Sequence, residues 1–166
     1  MILIQKILFT NDECKLIQNC YKNNKQVWNY LDRNYESESI QYTEETKWIF
    51  DKLKYFFESE TKIKITNLKK VIHFHKFTNG DRFERHTDIR DNRVYSIGVL
   101  LNDNFEGGDF KLYNSGEYTI NKKTGNTYIF DSSLEHEITP ILSNKRYSLI
   151  WFLQNEHIKL ETNKLI

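Results

Sequence analysis

Residues 110–153 read FKLYNSGEYTINKKTGNTYIFDSSLEHEITPILSNKRYSLIWFL. Five short runs in it, 110–113, 117–120, 126–130, 136–141 and 146–153, are apolar or alternate between apolar and polar residues. Between them stand Asn114-Ser115-Gly116, Lys122-Lys123-Thr124-Gly125 and Ser143-Asn144-Lys145, clusters that favour turns. Side chains alternate across a strand, so this pattern describes many short strands joined by tight turns. Such spacing predicts a sandwich or barrel.

The same period extends upstream. Lys62-Ile63-Lys64-Ile65 and residues 68–77 alternate, Thr78-Asn79-Gly80-Asp81 is a turn signal, and 94–101 is a mostly apolar strand. Residues 102–109, with Gly107-Gly108, read as loop. Toward the N-terminus the period becomes helical. Thr10-Asn11-Asp12-Glu13 fits a capping box, and Leu16, Ile17, Cys20 and Tyr21 follow at helical spacing, so the helix reaches about Lys22. Residues 42–57 predict the longest helix, with Thr46, Ile49, Leu53, Phe56 and Phe57 on one face and Trp48 beside it. Residues 2–9 and 27–31 read as strands, 32–39 as a polar loop, and the tail after Leu153 as a last helix or a frayed end. Trp28, Tyr30 and Tyr35, around that loop, are candidates for a lid or for core packing. The expected architecture is α+β but mainly β. It is one domain over 1–166, helical over about 1–60 and β over about 62–153, with two helices packed on one face of a sheet.

Chemistry concentrates between His86 and Arg146. His86 and Asp88 are two apart, so on an extended backbone they point to the same side. His136 lies on a distant strand that a double-sheet jelly roll can bring alongside. Two imidazoles and one carboxylate are the facial triad that holds Fe(II) and leaves open positions. Arg146 leads an otherwise apolar strand, where a buried guanidinium needs a partner, and a carboxylate suits its fork. His73-x-His75 is a second same-face pair, but no carboxylate at matching spacing supports a metal there. Lys62, Lys64, Lys69, Lys70 and Lys76 read as a solvated face or a lysine-protected edge strand.

Composition narrows the classes. The chain of 166 residues suffices for one sizeable core. A formal net charge of +1 provides no general attraction for nucleic acid or anionic membrane. Cys14 and Cys20 are six residues apart on a helix, a rise of about 9 Å that exceeds the reach of a disulfide. Free thiols, no signal peptide and no apolar run of membrane-spanning length lead us to expect a cytoplasmic protein with no membrane partner.

Taken together, Phe77-x-x-Gly80-x-x-Phe83-x-x-His86-x-Asp88, Arg93-x-x-Ser96, Leu100-Leu101-Asn102 and Glu106-Gly107-Gly108-Asp109-Phe110 resemble the prolyl 4-hydroxylase branch of the 2-oxoglutarate/Fe(II) dioxygenases. Gly125-x-x-x-Ile129-Phe130, His136-Glu137-Ile138-Thr139-Pro140-Ile141 and Arg146-Tyr147-Ser148-Leu149-x-Trp151 extend the resemblance over about 71–153. It implies a double-stranded β-helix (jelly-roll, cupin-like) core braced by two N-terminal helices. It implies that His86, Asp88 and His136 bind Fe(II) and that Arg146 pairs with the C5 carboxylate of 2-oxoglutarate. It implies consumption of O2 to hydroxylate an unactivated C–H, with ascorbate a further candidate cofactor. The implied substrate is a peptidyl residue such as proline. A free amino acid, a small metabolite and a modified nucleobase are the alternatives, and a metal-binding module without turnover is the rival outside catalysis. Ser96 matches a position near that carboxylate. Phe77 and Leu100 stand where many members carry Tyr, and Tyr95, Tyr113 and His75 are candidates to replace the missing hydroxyl.

Overall fold

The computed structural model describes residues 3–21, 27–30 and 33–160. In chain order the elements are β1 (Leu3–Ile7), α1 (Asn11–Tyr21), β2 (Val27–Tyr30), β3 (Arg33–Gln41), α2 (Lys47–Thr61), β4 (Ile63–Ile65), β5 (Val71–Phe77), β6 (Phe83–His86), β7 (Arg93–Leu100), β8 (Glu106–Gly107), β9 (Phe110–Tyr113), β10 (Glu117–Thr119), β11 (Asn126–Asp131), β12 (Glu135–Ile138), β13 (Ile141–Ser143), β14 (Arg146–Gln154) and β15 (Ile158–Leu160). Among the described residues, a major sheet has the order β1-β11-β7-β14-β5-β3-β2 and a minor sheet the order β10-β9-β12-β6. Every pairing is antiparallel. This is the mainly β architecture expected, with two helices.

Alternation along the major sheet separates two cores. Ile97, Val99, Tyr147, Leu149, Trp151 and Leu153 face the helices, where they meet Cys14 and Ile17 of α1 and Ile49, Phe50, Leu53, Phe56 and Phe57 of α2. Phe50 sets its ring edge-on to Trp151, with centroids 6.0 Å apart. The opposite face meets the minor sheet through Phe110, Leu112, Tyr128 and Phe130. The helices therefore brace one side of the sheet and leave the other free to build a cavity.

Helix ends follow their local chemistry. Thr10 N donates to Glu13 Oε1 at 2.9 Å and Glu13 N to Thr10 Oγ1 at 3.1 Å, the expected capping box. α2 begins later than its apolar pattern suggests, because Thr43 and Thr46 form a hydroxyl-bonded turn, with Thr46 Oγ1 donating to Gln41 O at 2.6 Å. It ends at Lys62, whose φ of 62° is left-handed.

Three expectations need correction. The polar 32–39 segment is not loop where it is described, because β3 pairs with β5 over Glu36–Lys76 to Gln41–Val71. Cross-strand pairing overrides its polar composition. β5 is an inner strand between β14 and β3, so its lysine is not an edge device; Lys76 pairs with Glu36 at 3.2 Å. The segment after β14 forms a 3-10 turn (Asn155–His157) and then β15, which pairs with β4. Lys22 and residues 161–166 lie outside the described residues, as do the side chains of Trp28 and Tyr30. Both cysteines are free, Cys14 buried and Cys20 exposed. No helix among the described residues is long and apolar enough to cross a membrane.

Candidate metal centre and cosubstrate cavity

β6 and β12 lie side by side in the minor sheet, with His86 directly opposite His136. Asp88 follows two residues after His86, held by its N–H to Ser132 O at 2.8 Å. His86, Asp88 and His136 each offer one ligand atom, all within 4.8 Å of one another, and form the metal-capable group found among the described residues. Asp88 Oδ1 is 3.5 Å from His86 Nε2, and Oδ2 is 3.3 Å from His136 Nε2.

The surroundings decide what these atoms can do. His86 Nδ1 faces Glu84 O at 2.6 Å and His136 Nδ1 faces Leu134 O at 2.9 Å. A carbonyl only accepts, so each Nδ1 carries the hydrogen and each Nε2 lone pair points inward. Burial pushes the His86 imidazole below its usual range, which favours the neutral form that binds metals. Burial alone would raise the Asp88 carboxyl, but the donating Ser96 hydroxyl beside it works in the opposite direction and favours the carboxylate. Two imidazole lone pairs and a carboxylate thus converge with no hydrogen between them, a donor set that fits a divalent cation. Ser96 Oγ donates to Asp88 Oδ2 at 2.8 Å and also meets Ser132 Oγ at 3.0 Å.

Arg146 sits on the major sheet at the far side of the same interior and is only 1% exposed. Nε donates to Gly108 O at 3.1 Å, Nη1 donates to Ser148 Oγ at 2.8 Å, and the Tyr128 phenol is within hydrogen-bonding reach. All three partners are neutral. Asp109 attracts it at longer range but is itself paired with Lys122 at 2.7 Å. Burial pulls the guanidinium pKa down, yet its side chain stays charged at any ordinary pH. A buried cation with neutral neighbours calls for an anion.

Between the triad and the arginine strand lies a cavity lined by His75, Phe83, Tyr128, Ser148, Ile150 and Phe152, while Arg146 itself lines a smaller one with Leu100, Phe105 and Gly108; Phe110 borders both. His75 borders the first, its ring tilted against that of Tyr35 with centroids 4.8 Å apart, and burial together with the nearby His73 and Arg146 brings its pKa down to about 3 against the opposing pull of Asp88. His73 lies 6.3 Å from His75 between ring centroids, but the pair belongs to no metal-capable group among the described residues.

Two expected cosubstrate residues are elsewhere. Ser96 stands opposite Phe152, whereas the Arg146 end of the sheet lies beyond Leu100, which pairs with Ser148. Ser96 therefore serves Asp88 at the metal end. Its neighbour Tyr95 faces the other side of the sheet, where its ring meets Phe57 of α2 at 5.3 Å. Strand alternation makes it impossible for both to face the cavity. Tyr113 bonds Glu137 on the minor sheet and does not line the cavity either. The phenol that does reach Arg146 is Tyr128, which sequence reading missed. A signal existed in Gly98, a lone glycine inside an apolar strand and a mark of close approach.

Comparisons with known proteins agree with this geometry. The structure resembles a Pseudomonas putida prolyl-4-hydroxylase with a TM-score of 0.74 at 20% identity, covering 92% of each chain. It resembles a Trichoplax adhaerens prolyl hydroxylase, solved with a hypoxia inducible factor oxygen degradation domain peptide fragment, with a TM-score of 0.72 at 18% identity, over 93% of this chain and 84% of that one. In sequence, a PKHD-type hydroxylase of Shewanella baltica is 25% identical over 93 residues, 49% of this chain; the match spans 42% of that relative, less than half its length. Residues 72–154, which hold the triad and Arg146, match the 2OG-Fe(II) oxygenase superfamily, and the chain belongs to that superfamily.

Proposed function

We propose that the protein is an Fe(II)- and 2-oxoglutarate-dependent hydroxylase that acts on an unactivated C–H of a peptidyl residue such as proline, with 1–166 as one catalytic domain. The observation that carries the cosubstrate is the buried Arg146, whose neutral partners Ser148 and Tyr128 line the cavity that the three metal-ligand residues also line. One end of a 2-oxo dicarboxylate can meet the metal site while the other meets the guanidinium. The peptide rests on the fold's likeness to the Trichoplax adhaerens protein, which was solved with a peptide fragment.

In this reading His86, Asp88 and His136 hold Fe(II) on one side and leave the cavity side open. The iron, when bound, supplies the redox chemistry that couples O2 to decarboxylation of 2-oxoglutarate and hydroxylation of the substrate. Ser96 and the backbone carbonyls of Glu84 and Leu134 orient the three ligands. Arg146 fixes the angle of the cosubstrate by gripping its far carboxylate. Phe110, Phe83, Ile138 and Ile150 keep the cavity walls apolar and exclude water from the reacting centre. Arg93 lies over the Phe152 ring at 3.8 Å and so places a largely buried cation beside a residue that lines the cavity.

Anaerobic reconstitution with Fe(II) and 2-oxoglutarate tests the reading. The expected result is a weak visible charge-transfer band, then succinate on admission of O2, accelerated by a proline-containing peptide. A folded, iron-loaded protein without the band would overturn the cosubstrate assignment and favour a metal-binding module. Succinate that is stimulated by a free amino acid but by no peptide would overturn the peptide half alone.

A further inference from the structure

Tyr128 is placed unusually for its strand. It lies on β11, two strands away from Arg146 on β14, with β7 between them. Strands are spaced about 4.8 Å apart, so inner-face side chains two strands apart are normally separated by the residue between them. The residue directly opposite Tyr128 is Gly98, which is in turn opposite Ile150 of β14. A Cβ on residue 98 would stand 2.1 Å from Tyr128 Cζ and 2.4 Å from its hydroxyl oxygen. The phenol therefore lies across the glycine and reaches the arginine strand. Gly98 is not among the glycines with positive φ, so it is required for space and not for backbone freedom.

The residues nearest Arg146 by register are apolar. Phe77 pairs with Arg146 directly, and Leu100 pairs with Ser148. Neither offers a hydroxyl. Resting on the cosubstrate reading above, we infer that Tyr128 binds the far carboxylate of 2-oxoglutarate beside Arg146, and that Gly98 is the residue that lets it do so. The tyrosine oxygen accepts from the guanidinium, which leaves its O–H to donate to the incoming carboxylate. Ser148 is placed alike, since its oxygen already accepts from Nη1. Two hydroxyls and a guanidinium then converge on one anion, supplied from β11 and β14 across the gap over Gly98.

The test measures binding, without turnover, by calorimetry on protein loaded with Mn(II) in place of Fe(II). Two ligands are compared, 2-oxoglutarate and 2-oxopentanoate, which has the same chain length but ends in a methyl group. The wild type is expected to bind 2-oxoglutarate. Tyr128→Phe, which keeps the ring, is expected to weaken 2-oxoglutarate about tenfold, the usual worth of a hydrogen bond to a charged group, and to leave 2-oxopentanoate unchanged. Gly98→Ala is expected to show the same selective loss, because its methyl displaces the phenol. Equal losses for the two acids, or none, in Tyr128→Phe would overturn the assignment and leave the cosubstrate reading standing. Failure of the wild type to bind 2-oxoglutarate would overturn both.

Discussion

At the residue scale, the site is organised by groups whose partners dictate their protonation. Ser96 donates to Asp88, so removing that hydroxyl should leave the carboxylate freer to rotate. Ser96→Ala is expected to weaken Mn(II) binding about tenfold, read by metal titration, since outer partners of metal ligands commonly contribute at that scale. An unchanged affinity would limit Ser96 to packing. His75 makes a different prediction. Its folded pKa of about 3 lies below its ordinary 6.5, so below pH 6.5 the unfolded chain takes up a proton that the folded chain refuses. The stability this neutral imidazole contributes is present above pH 6.5 and is lost as the pH falls toward 3. The urea midpoint of the wild type should therefore fall more steeply between pH 7 and 5 than that of His75→Phe, and parallel curves would refute it. His86, Asp88, His136 and Arg146 were legible in the sequence because they had spacing. Tyr128 was not, because its role depends on which residue faces it across a strand, and register is not written in a single segment.

At the element scale, α2 is the brace of the major sheet. Its apolar stripe was legible from residues 46–57, although Phe50, fully buried against Trp151, fell outside the expected face. Leu53 has no exposure and sits in the middle of that contact. Leu53→Ala is expected to cost about 2–5 kcal/mol of stability, measured by chemical denaturation, while Mn(II) affinity of the folded protein stays the same. A loss below 1 kcal/mol would mean that the helix is not a load on the sheet. β3 shows where sequence reading ran out at this scale. Its Glu and Ser residues have low strand propensity, yet they pair with β5 over six registered positions, Glu36 through Gln41. Pairing is a property of two segments, and only one of them announced itself by alternation.

At the scale of the whole molecule, the turn-separated period of residues 110–153 was enough to foresee two stacked antiparallel sheets. The return of the chain as β15 onto β4 was not, because both strands are three residues long. A ligand that binds only the folded state stabilises it in proportion to the logarithm of its concentration. The Tm should therefore rise with added Mn(II), rise again with 2-oxoglutarate, and return to its starting value on chelation. A Tm indifferent to metal would contradict a site formed by folding. The placement of the site has a further consequence. His86 and His136 belong to the minor sheet, Asp88 follows directly after β6, and Arg146 belongs to the major sheet, so on the proposed reading the two ends of the cosubstrate are held by opposite leaves of the sandwich. Packed sheets keep a fixed gap of about 10 Å. The interior residues Phe110, Phe130 and Ile150, which keep the leaves apart, thus act as the jaws of a caliper. On the proposed reading their volume sets the length of diacid that fits, and a change among them should retune that choice without touching a single binding group.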